Sequence, residues 1–451
     1  MQDQTAASIS RWTSLIAQIR RRIFHPDFCD GHRQEDKNFT RDRVLTFPVV
    51  ILLLLQKTTL SVQRHLNRFL HDLWPHGQQS ATRGAWTQAR AKLKHTALIE
   101  LNQQVLLPEF YGPAHQAHRR TWRGHRLFGC DGSQLRLPLH PQIVEKFGQV
   151  AVANHLGPTG TRYVPARLSV LYDLLNQVGL DARVENVEQG EVEMAIAQLE
   201  HVHANDVLIW DRGFTGFILM ALILHQKAHF IGRCSTGSFL AAQELFRANR
   251  AGRSKIVKLF AGKQHWAELK ALGLPPELIV RFVSLRLPNG ELEVLVTSLL
   301  DQTEYPTQEF LTVYNWRWGH ETYHLMLKGR LDLENWTGET EEAVRQDVQA
   351  AVLVSNLQSL LGQEPQEQLT AGDSQRQFPA QVNRADSYHA LKELMLDLLW
   401  SKRPIAPALL KIQQWMQANP VSVRPNRRAP RRRPSFHRSY HYQRNLKKTV
   451  F

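Results

Sequence analysis

Cysteine is scarce in this chain. There are three in 451 residues, Cys29, Cys130 and Cys234, far apart and none in a CxxC pair. That spacing excludes a disulfide framework and a cysteine-based structural zinc site, and it fits a reducing cytosol. Long apolar runs are also missing. The greasiest is FPVVILLLL, Phe47 to Leu55. It falls well short of the roughly 20 residues that span a bilayer, so it reads as a buried helix, with no membrane partner. The opening MQDQTAASISRW has no apolar stretch behind a basic start, and no secretory signal is expected. Acid is in short supply relative to base. Against 56 Lys and Arg stand 41 Asp and Glu, a net charge of +15. A field of that sign attracts polyanions, of which nucleic acid is the usual one; a basic but uninvolved surface is the alternative.

What is present suits a folded protein of about two to four domains. Residues 1–118 read as helical, and as a DNA-binding region. Thr40 is the expected cap of a helix through VLTFPVVILLLLQ, followed by SVQRHLNRFLHDLW and, after Ser80, by ATRGAWTQARAKLKH. The last carries Arg90, Lys92 and Lys94, which read either as DNA contacts or as a solvated basic face. The pattern changes near residue 124. HRLFGC, ARLSVLYDLL, GLDARVENV, DVLIWD and AHFIGRC are expected strands, with a helix at EVEMAIAQLEHVHA and another beginning at DRGF. Residues 119–234 thus read as the first part of a mixed α/β core. Residues 235–303 read as a β-rich insertion, with Asn289-Gly290 suited to a type I′ hairpin turn. Residues 304–362 return to the core with the helix VYNWRWGHETYHLMLKGRL and a further one at EEAVRQDVQAAVLVSNLQSLL. Residues 363–422 read as a Gln-rich linker and C-terminal helices, and 423–451 as a basic tail. That tail holds ten Lys or Arg, among them Arg431, Arg432 and Arg433, and no acid. It reads as a phosphate-binding arm or a solubilising tail.

Two carboxylates stand at expected strand ends. Asp131 lies in GCDGS, and Asp211 closes DVLIWD beside Arg212. Strand C-termini are where open α/β sheets bind ligands, although an Asp there also serves as a turn former or helix cap. The third element is a stripe. Tyr314, Arg317, Glu321 and Lys328 are spaced by three, four and seven residues, which keeps them near one face of a helix. A carboxylate among a guanidinium, an ammonium and a phenol suits metal plus phosphate; a plain Arg317–Glu321 ion pair on an exposed helix is the alternative.

YNWRWGHETYHLMLK resembles the Y-(2)-R-(3)-E-(6)-K motif of bacterial insertion-sequence transposases of the IS-four family, with Tyr314, Arg317, Glu321 and Lys328 in its four positions. Asp131 before Gly132, Asp211 in a DRG-aromatic turn, the β-rich insertion, SATRGAWTQARAKL and the basic C-terminus are similar to that family too. The resemblance implies an RNase H-like catalytic core. It implies that Asp131, Asp211 and Glu321 are catalytic and hold two Mg²⁺ ions, with Mn²⁺ as a substitute, about 3.5–4 Å apart. The reaction implied is cut-and-paste transposition: strand cleavage and strand transfer at the element's own terminal inverted repeats. Tyr314, Arg317 and Lys328 would grip the DNA backbone, and Arg212, Arg90, Lys92, Lys94 and the tail arginines would add contacts to double-stranded DNA. A homodimer holding two ends and a place at the bacterial nucleoid in the cytoplasm are implied by the same analogy.

A second motif overlaps the first. His320-Glu321-Thr322-Tyr323-His324 is a literal HExxH, which on a helix offers two histidines to zinc and Glu321 as a metalloprotease base. No third ligand is evident nearby, and zinc chemistry leaves Asp131, Asp211, Arg317 and Lys328 without a role. A DNA-binding protein without catalysis is the remaining alternative, against which the intact acidic triad speaks.

Overall fold

The computed structural model describes residues 2–424 other than 42, 59, 78, 155 and 156. The chain divides into two compact units. One comprises Met1–Arg119, Leu135–Ala166 and Leu325–Phe451, the other Arg120–Gln134 and Arg167–His324. Among the described residues no helix is long and apolar enough to cross a membrane. Nine strands make the main sheet: β1 Leu127–Leu137, β2 Val150–Asn154, β3 Gly157–Asp173, β4 Val178–Glu185, β5 Val207–Trp210, β6 His229–Arg233, β7 Ser254–Phe260, β8 Glu277–Arg286 and β9 Leu292–Thr297.

In the second unit the strand order is β4-β3-β1-β5-β6-β9-β8-β7. β1, β5 and β6 run parallel, and the β3–β4 pair and the β6-β9-β8-β7 series are antiparallel. This is the mixed α/β sheet expected, with helices such as Glu191–Gln198 and Phe217–His225 in its connections. The centre is built from short apolar runs. Val207, Leu208, Ile209 and Trp210 are all at most 1% exposed, and each such side chain contributes about 1.5–3 kcal/mol by leaving water. Opposite Trp210 in the register stands Gly232, where a Cβ would lie 2.5 Å from the Trp210 indole nitrogen, so the indole occupies the space a side chain would need. The turn between β3 and β4 is tied by Asp173, whose carboxylate accepts from the backbone N–H groups of Leu175 and Asn176.

Three expectations are corrected in this unit. The β-rich insertion is not separate from the core sheet: β9 pairs with β6 and carries β8 and β7 outward. The β8–β9 hairpin does not turn on a two-residue type I′ loop. Gly290 N–H donates to Leu287 O, Leu287 N–H to Glu291 O, and Gly290 has φ +88°. Pro288 favours the second position of a type I turn, and the left-handed residue falls at glycine one step later. Lastly, the helix expected over 313–331 is two, Glu309–Asn315 and Trp318–Gly329. Trp316 and Arg317 form the corner between them.

The first unit is mainly helical. The helix Glu341–Leu361 is buried along most of its 21 residues and capped by the Thr340 side chain, which accepts from Ala343 N. The apolar run forms the helix Phe47–Leu55; Pro48 in its first turn moves the start to a Thr46 cap, in place of Thr40. An unassigned amphipathic helix, Gln2–Ile23, buries Trp12, Leu15, Ile16, Ile19 and Ile23. The Gln-rich stretch is folded, not a linker: Gln363–Ala371 is a helix, held by buried Leu369 and by Gln413 Nε2 donating 2.8 Å to Glu364 Oε2. Its apolar content is low because side-chain hydrogen bonds do part of the docking. β2 and β7, neither expected as a strand, pair with the first half of β3 and with β8.

Candidate active site

Asp131 and Asp211 are brought together by register. β1 and β5 are parallel, with Gly129 opposite Ile209. Carrying that register two residues on sets Asp131 across from Asp211, on neighbouring strands about 4.8 Å apart. Asp131 Oδ1 accepts from Gly132 N at 2.9 Å, and Asp211 Oδ1 from Arg212 N at 2.8 Å. Glu321 reaches the same end of the sheet because the backbone of β1 is bare at Gly129. A Cβ there would lie 3.3 Å from His320 Cβ, so the helix Trp318–Gly329 rests directly on the strand.

The fourth member is Arg317. It is 3% exposed, at the corner between the two helices, and its Nη2 lies 3.0 Å from Glu321 Oε1. The Arg317–Glu321 pair therefore exists, but with a buried arginine among acids and not on an exposed face. The guanidinium lies over the Tyr314 and Trp318 rings, at 5.5 and 4.9 Å. Burial pushes the Asp131 carboxyl up to about 6, reinforced by the charges of Glu191 and Glu321 and opposed by Arg317. For Asp211 burial acts in the same direction, but the Arg212 N–H bond and the charges of Arg317, Arg233 and Arg212 outweigh it, and its pKa falls below the ordinary value. Two adjacent aspartates are thus driven apart, one toward the neutral form and one firmly ionised.

Arg233, at the end of β6, approaches Asp211 Oδ1 at 3.5 Å and is itself held by Glu293 Oε1 at 2.6 Å. Glu293 is 3% exposed on β9. Neither Arg233 nor Glu293 was singled out in the sequence. Their one signal is a charged residue at the end of each apolar strand, AHFIGRC and ELEVLV.

Among the described residues no group of three or more His, Cys, Asp or Glu side chains stands at metal-holding spacing. The donor set nevertheless fits a hard divalent cation. Asp131, Asp211 and Glu321 offer only oxygen. Asp131 is held toward protonation chiefly by its burial, which a cation bound there would offset. Buried Tyr314 Oη and Arg317 Nε have no hydrogen-bond partner among the described residues, so polar atoms close to Glu321 in the fold are left unsatisfied.

The zinc alternative fails on position. His320 is fully buried, its Nε2 is engaged with Val170 O at 2.9 Å, and its ring lies against Tyr172. Burial pushes its pKa well down. It serves as packing for the Glu321 helix.

The outlying DNA-contact residues divide. Lys328 falls in the first unit, half-buried, where burial lowers its pKa while Glu334 raises it. Arg90 is corrected: it is 2% exposed inside the first unit, bonded to Gln346 Oε1 at 2.9 Å, Ala343 O at 3.0 Å and Asp347 Oδ1 at 3.2 Å. A guanidinium so enclosed has no face for phosphate. Lys94 is partly exposed near Gly31 O, and Lys92 lines a cleft of about 770 Å³. Lys37, Arg41 and Arg43 also line that cleft, and among the described residues its lining holds no carboxylate. Arg212 is exposed beside Asp211. Arg431, Arg432 and Arg433 lie outside the described residues.

Residues 124–357 match the sequence profile of the family described as Transposase DDE domain. No curated protein matches the chain. Among solved structures, the chain is similar to the cryo-EM structure of a piggyBac transposase synaptic complex with hairpin DNA. That likeness has 10% identity and a TM-score of 0.44, over 88% of this chain and 85% of the other.

Proposed function

Since the chain belongs to the DDE transposase family, and is thus a DNA transposase of a family that acts through divalent metal, we propose that Asp131, Asp211 and Glu321 are its catalytic carboxylates. The observation that carries this is the convergence of all three on one buried arginine. Arg317 pairs with Glu321 at 3.0 Å and acts electrostatically on both Asp131 and Asp211. Two Mg²⁺ ions, or Mn²⁺ in their place, would supply Lewis acidity for in-line displacement at phosphorus.

The remaining roles belong to the chain itself. Asp211, held ionised, is ready to bind cation at neutral pH. Asp131 loses its proton as it gains a cation partner, so binding and deprotonation are linked. Arg317 orients Glu321, and with a cation held by that carboxylate its planar fork would be available to a phosphate oxygen. The Tyr314 hydroxyl lies beside it as a second donor. Lys328, seven residues beyond Glu321, adds a point charge for the strand.

Within the family we assign the chain to the IS-four group, on the strength of Tyr314, Arg317, Glu321 and Lys328 in its motif. The substrate is double-stranded DNA bearing the element's terminal inverted repeats, joined later to target DNA. The helical region 1–118 offers the basic cleft at Lys37, Arg41, Arg43 and Lys92 for backbone contact. Work on two ends calls for two active sites, hence a homodimer, placed at the nucleoid in the cytoplasm. The testing experiment is strand cleavage of a duplex carrying the element's end by Asp131→Asn. Loss of cleavage with DNA binding retained supports the assignment, and retained cleavage refutes it.

A further inference from the structure

A second concentration of positive charge stands away from the acids. Residues 245–267 hold six Lys or Arg and no acid. Lys255 and Lys258 are paired, with Glu244 at 2.6 Å and with Glu277 at 3.0 Å. Arg250 and Arg253 differ. Both are exposed on the turn that joins the helix Leu240–Ala248 to β7, and among the described residues no carboxylate pairs with either. The turn is fastened from beneath. Buried Ser284, on β8, donates its hydroxyl to Arg250 O at 2.8 Å and accepts from Arg253 N at 3.1 Å. Exposed Arg286, at the end of β8, donates from Nη2 to Asn249 O at 2.8 Å. These bonds use main-chain atoms of 249–253. They fix the turn and leave the Arg250 and Arg253 guanidinium groups in water. Like charges gathered on a fixed turn repel one another, and a polyanion offsets that cost.

Register places this turn on the sheet edge that carries the aspartates. β9 is antiparallel to β6, with Arg233 opposite Leu295, so β9 begins where β6 ends. β8 ends there too, with Arg286 opposite Leu292, and β7 begins there, with Ser254 opposite Val283. At about 4.8 Å per strand, β7 starts roughly 19 Å from the end of β5. A recess of about 350 Å³ connects the two, lined by Arg212 and Arg233 on the acid side and by Phe246, the residue before Arg247, on the other. Glu291 and Glu293 also line it, the second held by Arg233 at 2.6 Å. We propose that Arg250 and Arg253 form a remote grip on the phosphate backbone of the same duplex whose scissile phosphate lies at Asp131 and Asp211. The proposal rests on the catalytic assignment of those aspartates. The duplex passes Arg212 and Arg233 and meets the turn on the order of six base pairs from the cut, at 3.4 Å per pair. Exposed guanidinium groups there hold phosphate oxygens and read no bases.

The test is binding of a duplex carrying the element's own end to the full-length protein, without metal, over a range of salt concentrations. The proteins are the wild type, Arg250→Ala with Arg253→Ala, and Arg250→Lys with Arg253→Lys. The alanine pair should lower the salt-dependence slope by about two, one for each phosphate contact, and the lysine pair should keep it. A second arm trims the duplex to about three base pairs from the cut, on one side and then on the other, which is short of the turn at 3.4 Å per pair. Trimming on one side should weaken the wild type about as much as the alanine pair is weakened on the full duplex, and should weaken the alanine pair little further. A wild-type slope in the alanine pair would overturn the proposal. So would a lowered slope that leaves the alanine pair as sensitive to trimming as the wild type, since the arginines would then hold DNA away from the cut. Retained cleavage by Asp131→Asn would overturn the catalytic assignment instead, and the salt slopes do not depend on that residue.

Discussion

Two buried arginines in this molecule began as equals. Arg90 and Arg317 both lie on basic helical stretches, and both read as grips for the DNA backbone. In the first unit Arg90 closes a network: Asp347 receives Arg90 at 3.2 Å and Lys57 at 3.7 Å, and Thr337 Oγ1 donates to it at 2.8 Å. Two cations face one carboxylate. Burial pushes the Asp347 pKa up, but the Lys57 and Arg90 charges outweigh it, and Asp347 is held ionised. In the second unit Arg317 stands among Asp131, Asp211 and Glu321, its Nε has no partner among the described residues, and burial pushes Asp131 up to about 6. A buried network that satisfies itself is structure. One that leaves a buried donor unpaired beside a carboxyl raised by burial marks a candidate functional site.

The largest effect should come from breaking that symmetry. Arg90→Ala leaves Asp347 buried beside a single lysine and should cost about 3–5 kcal/mol of stability, read as a lowered thermal midpoint. Arg317→Ala should leave the midpoint within a few degrees, because it relieves no acid of a tight structural role, yet lower strand cleavage by about 10³. If Arg317→Ala unfolds the protein as Arg90→Ala does, the distinction between the two networks fails. Next in size is Arg317→Lys, which keeps the charge but loses the fork; cleavage should fall about 10²-fold with DNA affinity nearly unchanged.

The two aspartates sharpen the contrast through pH. Asp131 has a raised pKa, so the native chain binds the extra proton, and the stability of the metal-free protein falls as pH rises from about 4 to about 6. Asp131→Asn should then melt higher than the wild type at pH 7 by about 1–2 kcal/mol, with the gap closing near pH 4. Asp347 has the opposite sign. Its contribution is present above the usual aspartate value of about 4 and is lost as pH falls through the lower folded value. A wild type as stable as Asp131→Asn at pH 7 would contradict the electrostatic reading of the site.

Smaller still is the clamp on Asp211. Glu293→Gln loosens Arg233 and should lower cleavage about tenfold, with its pH profile shifted; an unshifted profile would reduce Glu293 to packing. The smallest change lies in the basic cleft. Lys92→Glu with Arg43→Glu should lower the salt-dependence slope of DNA binding by about one per lost phosphate contact. An unchanged slope removes the cleft from the DNA path.

The legible parts of the sequence were those where local pattern and fold agree. DVLIWD, AHFIGRC and ARLSVLYDLL announced buried strands, and the spacing of Tyr314, Arg317 and Glu321 announced a cluster although a corner at Trp316 and Arg317 divides its helix. Arg90 was misread because charge alone does not reveal a buried partner 257 residues away, at Asp347. Arg233 and Glu293 were missed for a related reason. Each reaches Asp211 through sheet register or an ion pair, and neither is visible in local periodicity. The Gln363–Ala371 helix escaped because its docking depends on side-chain hydrogen bonds more than on an apolar stripe.

The most direct test of the central claim is nicking of a duplex carrying the element's own end, with Mg²⁺ or Mn²⁺, by the wild type and by Glu321→Gln. Metal-dependent nicking by the wild type, lost in a Glu321→Gln protein that still folds and binds the duplex, is the predicted result. Nicking that survives in Glu321→Gln would show that the carboxylate paired with Arg317 is not part of the catalytic centre.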